Sequence, residues 1–163
     1  MTYFPYSVPL GDAERASLNL TAPFVQLERV EFNEIDMLGH VNNVIYFRWF
    51  ETIRVAYLIE RGLFPAKEDA FYAVVKWQEA EYVKPLFMNE TVAITCRTAQ
   101  YGRTSFMTEY GVHRVNDDHM TELCAKGRCL VVRMSQADHK KAPLTDGQVR
   151  DFSTLDGAIN TAK

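Results

Sequence analysis

The stretch DMLGHVNNVIYFRWFETIRVAYLIERG, residues 36–62, decides how this chain folds. In its first eight residues Gly39 allows backbone torsions that other residues resist, and Asn42 and Asn43 favour turns and caps, so the chain changes direction there. From Val44 to Arg61 the sequence is apolar on nearly every side: Val44, Ile45, Tyr46, Phe47, Trp49, Phe50, Ile53, Val55, Ala56, Tyr57, Leu58 and Ile59. This run is too long for a buried strand and reads as a helix. Asn42 or Asn43 caps its start by accepting an orphan backbone N–H, and Gly62 ends it. A helix apolar all round must be buried.

Working outward, Thr21-Ala22-Pro23 opens an extended run from Phe24 to Asn33, in which Val25, Leu27, Val30 and Phe32 alternate with charges. Beyond a linker from Pro65 to Asp69, strand character recurs over Phe71 to Val83, Thr91 to Thr98, Thr104 to Arg114 and Met120 to Met134. Lys84-Pro85 closes the first of these. Gln100-Tyr101-Gly102-Arg103 and Asn116-Asp117-Asp118-His119 have the composition of hairpin turns. One strand, one long helix and a meander of about four strands predict an α+β domain over residues 21–145, a curved antiparallel sheet wrapped around one central helix. Residues 1–20 form a loosely patterned extension, and residues 146–163 a polar tail with room for one short helix. Such a sheet cannot cover its helix on all sides, so pairing of subunits into a homodimer or homotetramer is expected.

With 163 residues, 47% hydrophobic and 24% charged, the chain can bury one core. A net charge of -3 and the lack of a basic block argue against nucleic acid; His139, Lys140 and Lys141 are too few. No secretory leader is legible and no apolar run approaches the roughly 20 residues of a membrane span, so the expectation is a cytoplasmic protein that needs no membrane. Cys96, Cys124 and Cys129 are an odd number without zinc-like spacing and read as core residues. The histidines at 40, 113, 119 and 139 lack metal-ligand spacing, and no serine elbow, phosphate loop or dinucleotide fingerprint is present. Neither a metal nor a redox cofactor is expected.

Asp36-Met37-Leu38-Gly39-His40-Val41-Asn42-Asn43-Val44-Ile45-Tyr46, followed by Phe50-Glu51 and Arg54, resembles the 4-hydroxybenzoyl-CoA thioesterase branch of the hot-dog superfamily, especially its long-chain acyl-CoA thioesterases. Weaker agreement continues through Tyr82-Val83-Lys84-Pro85-Leu86 and Gly102-Arg103-Thr104-Ser105. The resemblance implies a hot-dog fold and hydrolysis of an acyl-CoA, with CoA entering as part of the substrate. It also implies Asp36 as the catalytic carboxylate and the Asn43 backbone N–H as the oxyanion donor.

The chemistry agrees with that implication. A thioester carbonyl becomes negative as it is attacked, and N–H groups at a helix start are fixed donors for that charge. Asp36, seven residues earlier, could attack the carbonyl or deprotonate a water. The plainer reading of Asp36 is a turn residue bonding its own backbone, and that of Asn43 a simple cap. Gly39, His40, Val41, Asn42 and Tyr46 line the turn, and His40 reads as scaffold before acid or base. Glu51 ranks second as the carboxylate, because some hot-dog thioesterases use one on the central helix; its plainer reading is a buried partner for Arg48 or Arg54. Trp49, Phe50, Tyr57, Phe64, Phe71 and Trp77 could furnish an acyl slot, though most such residues are core. Arg103, Lys84 and Arg128 are candidates for the CoA phosphates. Rival functions are a non-catalytic acyl-CoA sensor, an acyl carrier protein thioesterase, and a hot-dog dehydratase, which would need a histidine motif that is not legible here.

Overall fold

The computed structural model describes residues 9–62, 71–118 and 120–162, without the side chain of Phe71. The linker Pro65–Asp69, Phe64 and His119 lie outside the described residues. The helix deduced from residues 44–61 is α2, Asn43–Glu60. Asn42 is its cap: held extended at φ -61° and ψ 138°, it accepts the Val44 N–H on its side chain. Arg61 ends the helix and Gly62 follows at φ +62°, which a residue without Cβ adopts freely.

Around α2 run β1 (Phe24–Arg29), β2 (Phe71–Tyr82), β3 (Thr91–Tyr101), β4 (Ser105–Val115) and β5 (Thr121–Ser135), in the spatial order β1-β3-β4-β5-β2. All these pairings are antiparallel. This is the hot-dog arrangement. The strands β3, β4 and β5 form the expected meander, but β2 leaves it and pairs with β5 on the far edge. The first strand also ends sooner than its alternation suggests. After Arg29 the chain tightens into a single 3-10 turn over Phe32–Glu34, and Phe32 stands 83% exposed. In the other direction β3 runs three residues past Thr98, because a bulge between Thr98 and Gln100 absorbs the irregularity and lets pairing continue.

The inner face of the sheet and one face of α2 make the core. The ring of Phe50 stacks on Tyr110 at 4.7 Å, and Phe24 meets Tyr57 edge-on at 5.9 Å. Closest approach falls at Gly127, where an added Cβ would lie 2.4 Å from the Phe50 ring and 2.9 Å from the Glu79 carbonyl oxygen. Gly127→Ala must therefore push α2 off the sheet, and a loss of about 2–3 kcal/mol is expected in urea unfolding.

α2 is not buried all round within one protomer. Val44 and Ile59 are exposed, and Val55, Ala56 and Ile59 floor a cleft of about 940 Å³ between α2 and the end of β1. A single sheet covers one side of a helix, and nothing else among the described residues covers the other.

Both termini add packing. Helix α1 (Asp12–Ser17) buries none of its own residues, but Leu18 just past it joins Val25 and Ala93 in a second apolar cluster on the outer face. Helix α3 (Asp146–Leu155) opens with a capping box between Thr145 and Gln148 and sinks Phe152 fully, against Tyr101 and Phe106. A short strand β6 (Ile159–Asn160) then runs parallel to the end of β3. The three cysteines are buried, and burial pushes their thiols up, so they behave as small core residues.

Candidate active site

The segment between β1 and α2 is a closed hairpin. Its base is the Asn42 N–H to Glu34 carbonyl bond of 2.9 Å; Ile35 and Val41 form a bridge above it. Next, the Asp36 N–H reaches the His40 carbonyl and the Gly39 N–H the Asp36 carbonyl, both at 3.0 Å. Gly39 sits at φ +81°, a torsion costly to residues with a Cβ, so the tip can reverse within so few residues. Met37 and Leu38 at the tip point into solvent.

Asp36 keeps 23% of its side chain exposed. Its Oδ1 accepts the Leu38 N–H at 2.8 Å, the local bond that an Asp before a turn glycine ordinarily makes, and lies 3.9 Å from His40 Nδ1. Oδ2 has no hydrogen-bond partner among the described residues. His40 is partly exposed, with Nδ1 3.5 Å from the Val41 carbonyl.

Asn43 is the first helical residue and not the cap, which corrects the reading of it as an N-cap. The distinction matters for the donors at the helix tip. The Val44 N–H is satisfied by Asn42 Oδ1 and the Ile45 N–H by the Asn42 carbonyl, whereas the Asn43 N–H has no acceptor among the described residues. It is an unclaimed donor at the positive end of an 18-residue helix.

The far wall of this corner is the segment after β2. Val41 N–H donates to the Leu86 carbonyl at 2.8 Å, and Tyr82 donates its hydroxyl to the Asn43 carbonyl at 3.1 Å. Tyr46 is buried, edge-on to Trp49 at 5.3 Å and to Tyr82 at 5.0 Å. Burial, then Cys124 and Tyr82, push its phenol up to about 12, so it stays a neutral hydroxyl at ordinary pH. Arg114 braces the same wall through Glu90, Glu122 and the Pro85 carbonyl. Glu34, Tyr82 and Arg114 carry no individual signal in the sequence; only the pattern Tyr82-Val83-Lys84-Pro85-Leu86 points to this wall at all.

Glu51 is elsewhere. It is exposed, lines the 940 Å³ cleft, and pairs with neither arginine. Arg48 binds Glu34 instead, and Arg54 lies buried with Nη1 3.2 Å from the Tyr110 hydroxyl and 3.8 Å from Cys129 Sγ.

The phosphate candidates scatter. Lys84 lies beside the helix tip, paired with Glu122. Arg128 is on the outer face, paired with Glu79 and over the Trp77 ring at 5.8 Å. Arg103 occupies the β3–β4 turn, at the opposite end of the sheet from Asp36, a separation of roughly 35 Å along β4. One protomer does not bring the three together. Of the candidate slot residues, Trp49, Phe50 and Tyr57 are core, Trp77 faces outward, and Phe64 and the Phe71 side chain lie outside the described residues.

Among the described residues no group of three His, Cys, Asp or Glu could hold a metal ion, and no helix is long and apolar enough to cross a membrane.

The chain is similar over nearly its whole length to the crystal structure of a thioesterase superfamily protein from Jannaschia sp. CCS1. The TM-score is 0.87 at 30% identity, covering 98% of this chain and 99% of that one. It is also similar to a thioesterase from Thermus thermophilus solved with coenzyme A and zinc, with TM-score 0.68, 27% identity, and 83% and 96% of the two chains covered. In sequence it is 28% identical over 117 residues to the uncharacterised protein YsmA of Bacillus subtilis, covering 72% of this chain and 76% of that protein. The profile of the thioesterase-like superfamily matches residues 30–152, from just past β1 into α3. By fold and by this match, the chain is a member of the thioesterase-like superfamily.

Proposed function

We propose that this protein hydrolyses an acyl-CoA thioester to the free acid and coenzyme A, with Asp36 as nucleophile or general base and the Asn43 backbone N–H as oxyanion donor. The observation that carries the reading is the unclaimed Asn43 N–H beside a hairpin that cross-links Asp36 to the same helix start. The carbonyl oxygen takes the Asn43 N–H; Asp36 Oδ2 attacks the carbonyl carbon or removes a proton from the water that does. By the first route the C–S bond breaks to leave an acyl–Asp36 anhydride, which a water hydrolyses to the free acid, regenerating the carboxylate and supplying the thiolate's proton. By the second the water's oxygen stays on the carbon, the C–S bond breaks and the proton taken by Asp36 passes to the thiolate. The coenzyme A held by the Thermus relative supports CoA as the carrier.

Glu51 has the cleft of about 940 Å³ beside it, but the charge of that cleft is wrong for this substrate. Glu28, Glu31, Glu34, Glu51 and Glu60 outnumber Arg29 and Arg48 there, and a polyanion such as CoA is repelled. The test is thiol release from a panel of aliphatic and aromatic acyl-CoAs, run beside the same acyl groups on acyl carrier protein. Release from CoA esters that Asp36→Asn abolishes is the expected result. No release from any ester would leave a binding or sensing protein.

The active unit is proposed to be a homo-oligomer. β2 is an edge strand with no partner on its outer side among the described residues; it exposes Val74, Val75, Trp77 and Tyr82 and ends at the wall of the site. Such an edge is a template for a second copy. Light scattering is expected to give the mass of two or four chains, and a single-chain mass would refute the pairing.

A further inference from the structure

We infer that Glu34 is the positioning residue of this site: its buried carboxylate clamps the Asp36 hairpin onto α2 and so sets where Asp36 stands relative to the Asn43 N–H. The inference rests on the thioesterase reading above.

Glu34 is only 3% exposed, an uncommon place for a carboxylate, and its oxygens are occupied by donors from both sides of the corner. Oε1 accepts Trp49 Nε1–H at 3.1 Å and also binds the Arg48 guanidinium, both from the first two turns of α2. Oε2 accepts the Glu31 N–H at 2.8 Å, from the 3-10 turn. Its own carbonyl is the acceptor for the Asn42 N–H at the hairpin base. One residue thus joins the strand exit, the hairpin and the helix.

The hairpin is internally cross-linked, so it moves as a body. Its return limb is pinned by the Val41 N–H to the Leu86 carbonyl. The packing of Val41 and Ile35 on the core is non-directional, so with one directional pin the hairpin could pivot, and Asp36 would swing with it. Glu34 is the second pin, on the outgoing limb, two residues before Asp36. Trp49 is the stronger half of the clamp, because its indole N–H is buried with Glu34, whereas the Arg48 side chain is half exposed and its pairing is screened by water. A pivot of about 1 Å is enough to cost up to about 100-fold in a reaction between positioned groups.

The test compares kcat and KM for Glu34→Ala, Glu34→Gln and Trp49→Phe, each at a temperature where circular dichroism shows the protein folded. Glu34→Ala is expected to lower kcat about 30-fold with KM within about twofold. Glu34→Gln should fall between wild type and Glu34→Ala, since its amide oxygen still accepts from Trp49 but its NH2 opposes the Glu31 N–H. Trp49→Phe keeps a ring in place and removes one donor; about a fivefold loss in kcat is expected. Leu18→Ala, which thins the outer cluster on the other face of the sheet, supplies a loss of thermal stability without touching the corner, and its kcat should equal wild type. Folded Glu34→Ala with kcat within about twofold of wild type overturns the inference, as does an equal kcat loss in Leu18→Ala. If Glu34→Ala does not fold, Trp49→Phe decides, and an unchanged kcat there refutes the clamp. Full activity in Asp36→Asn removes the underlying reading; an inactive Asp36→Asn beside a fully active Glu34→Ala removes only the role of Glu34.

Discussion

Asp36→Asn is expected to lower kcat for thiol release by about a thousandfold while moving the thermal midpoint by no more than about 2 °C. The two halves of this result have separate causes. The amide oxygen of the new side chain accepts the Leu38 N–H as Asp36 Oδ1 does, at 2.8 Å in the wild type, so the turn keeps its local bond. The hairpin bonds at the base and tip are backbone bonds and do not involve this side chain. What is lost is the carboxylate itself: an amide neither attacks a thioester nor takes a proton from water at neutral pH. Asp36→Ala loses the chemistry and the Leu38 bond together, so it tests less. Activity equal to wild type in a folded Asp36→Asn would remove Asp36 from the chemistry altogether.

Asp156→Ala is expected to cost about 3–5 kcal/mol, and to lower the melting temperature by on the order of 10 °C. The Asp156 side chain is wholly buried just past the end of α3. Oδ1 accepts from Arg61 at 2.9 Å; Oδ2 accepts the Thr98 N–H at 2.9 Å and the Tyr57 hydroxyl. These donors come from α2, its C-cap and β3, so one carboxylate ties three parts of the chain together. Its removal strands the Arg61 guanidinium, whose Nε already has no partner among the described residues, and leaves the Thr98 N–H buried without an acceptor. Tyr57 retains Thr98 Oγ1 at 2.6 Å, which softens the loss. Calorimetry on the purified variant checks the figure, and a midpoint within about 2 °C of wild type would refute the tie. Because Asp156 lies at the C-terminal end of α2, far from the Asp36 hairpin, folded Asp156→Ala should keep its kcat.

Much of the architecture was legible because it is local. Residues 43–60 show their helix in a long, mostly apolar run between an asparagine and a glycine. The strands β3, β4 and β5 show theirs in extended runs separated by turn residues. What misled was also local. Phe32 fits the alternation of β1, yet Glu34 is drawn inward by Trp49 and Glu31, and the chain leaves the strand early to bring it there. Asn42 and Asn43 are the same residue type; only the backbone torsions decide which caps and which donates.

By itself, the sequence determined the central helix and the five long strands, their order, and that a carboxylate precedes the start of a long apolar helix, since each of these depends on neighbours a few residues apart; α1, the 3-10 turn and β6 were not legible in it. The tertiary structure alone decided that β2 crosses to β5, that Asp156 locks α2 to β3, and that Glu34, Tyr82 and Arg114 frame the Asp36 corner. Those arrangements join residues tens of positions apart, and which buried donor meets which acceptor is settled only when the whole core closes and nearly every polar group within it finds a partner.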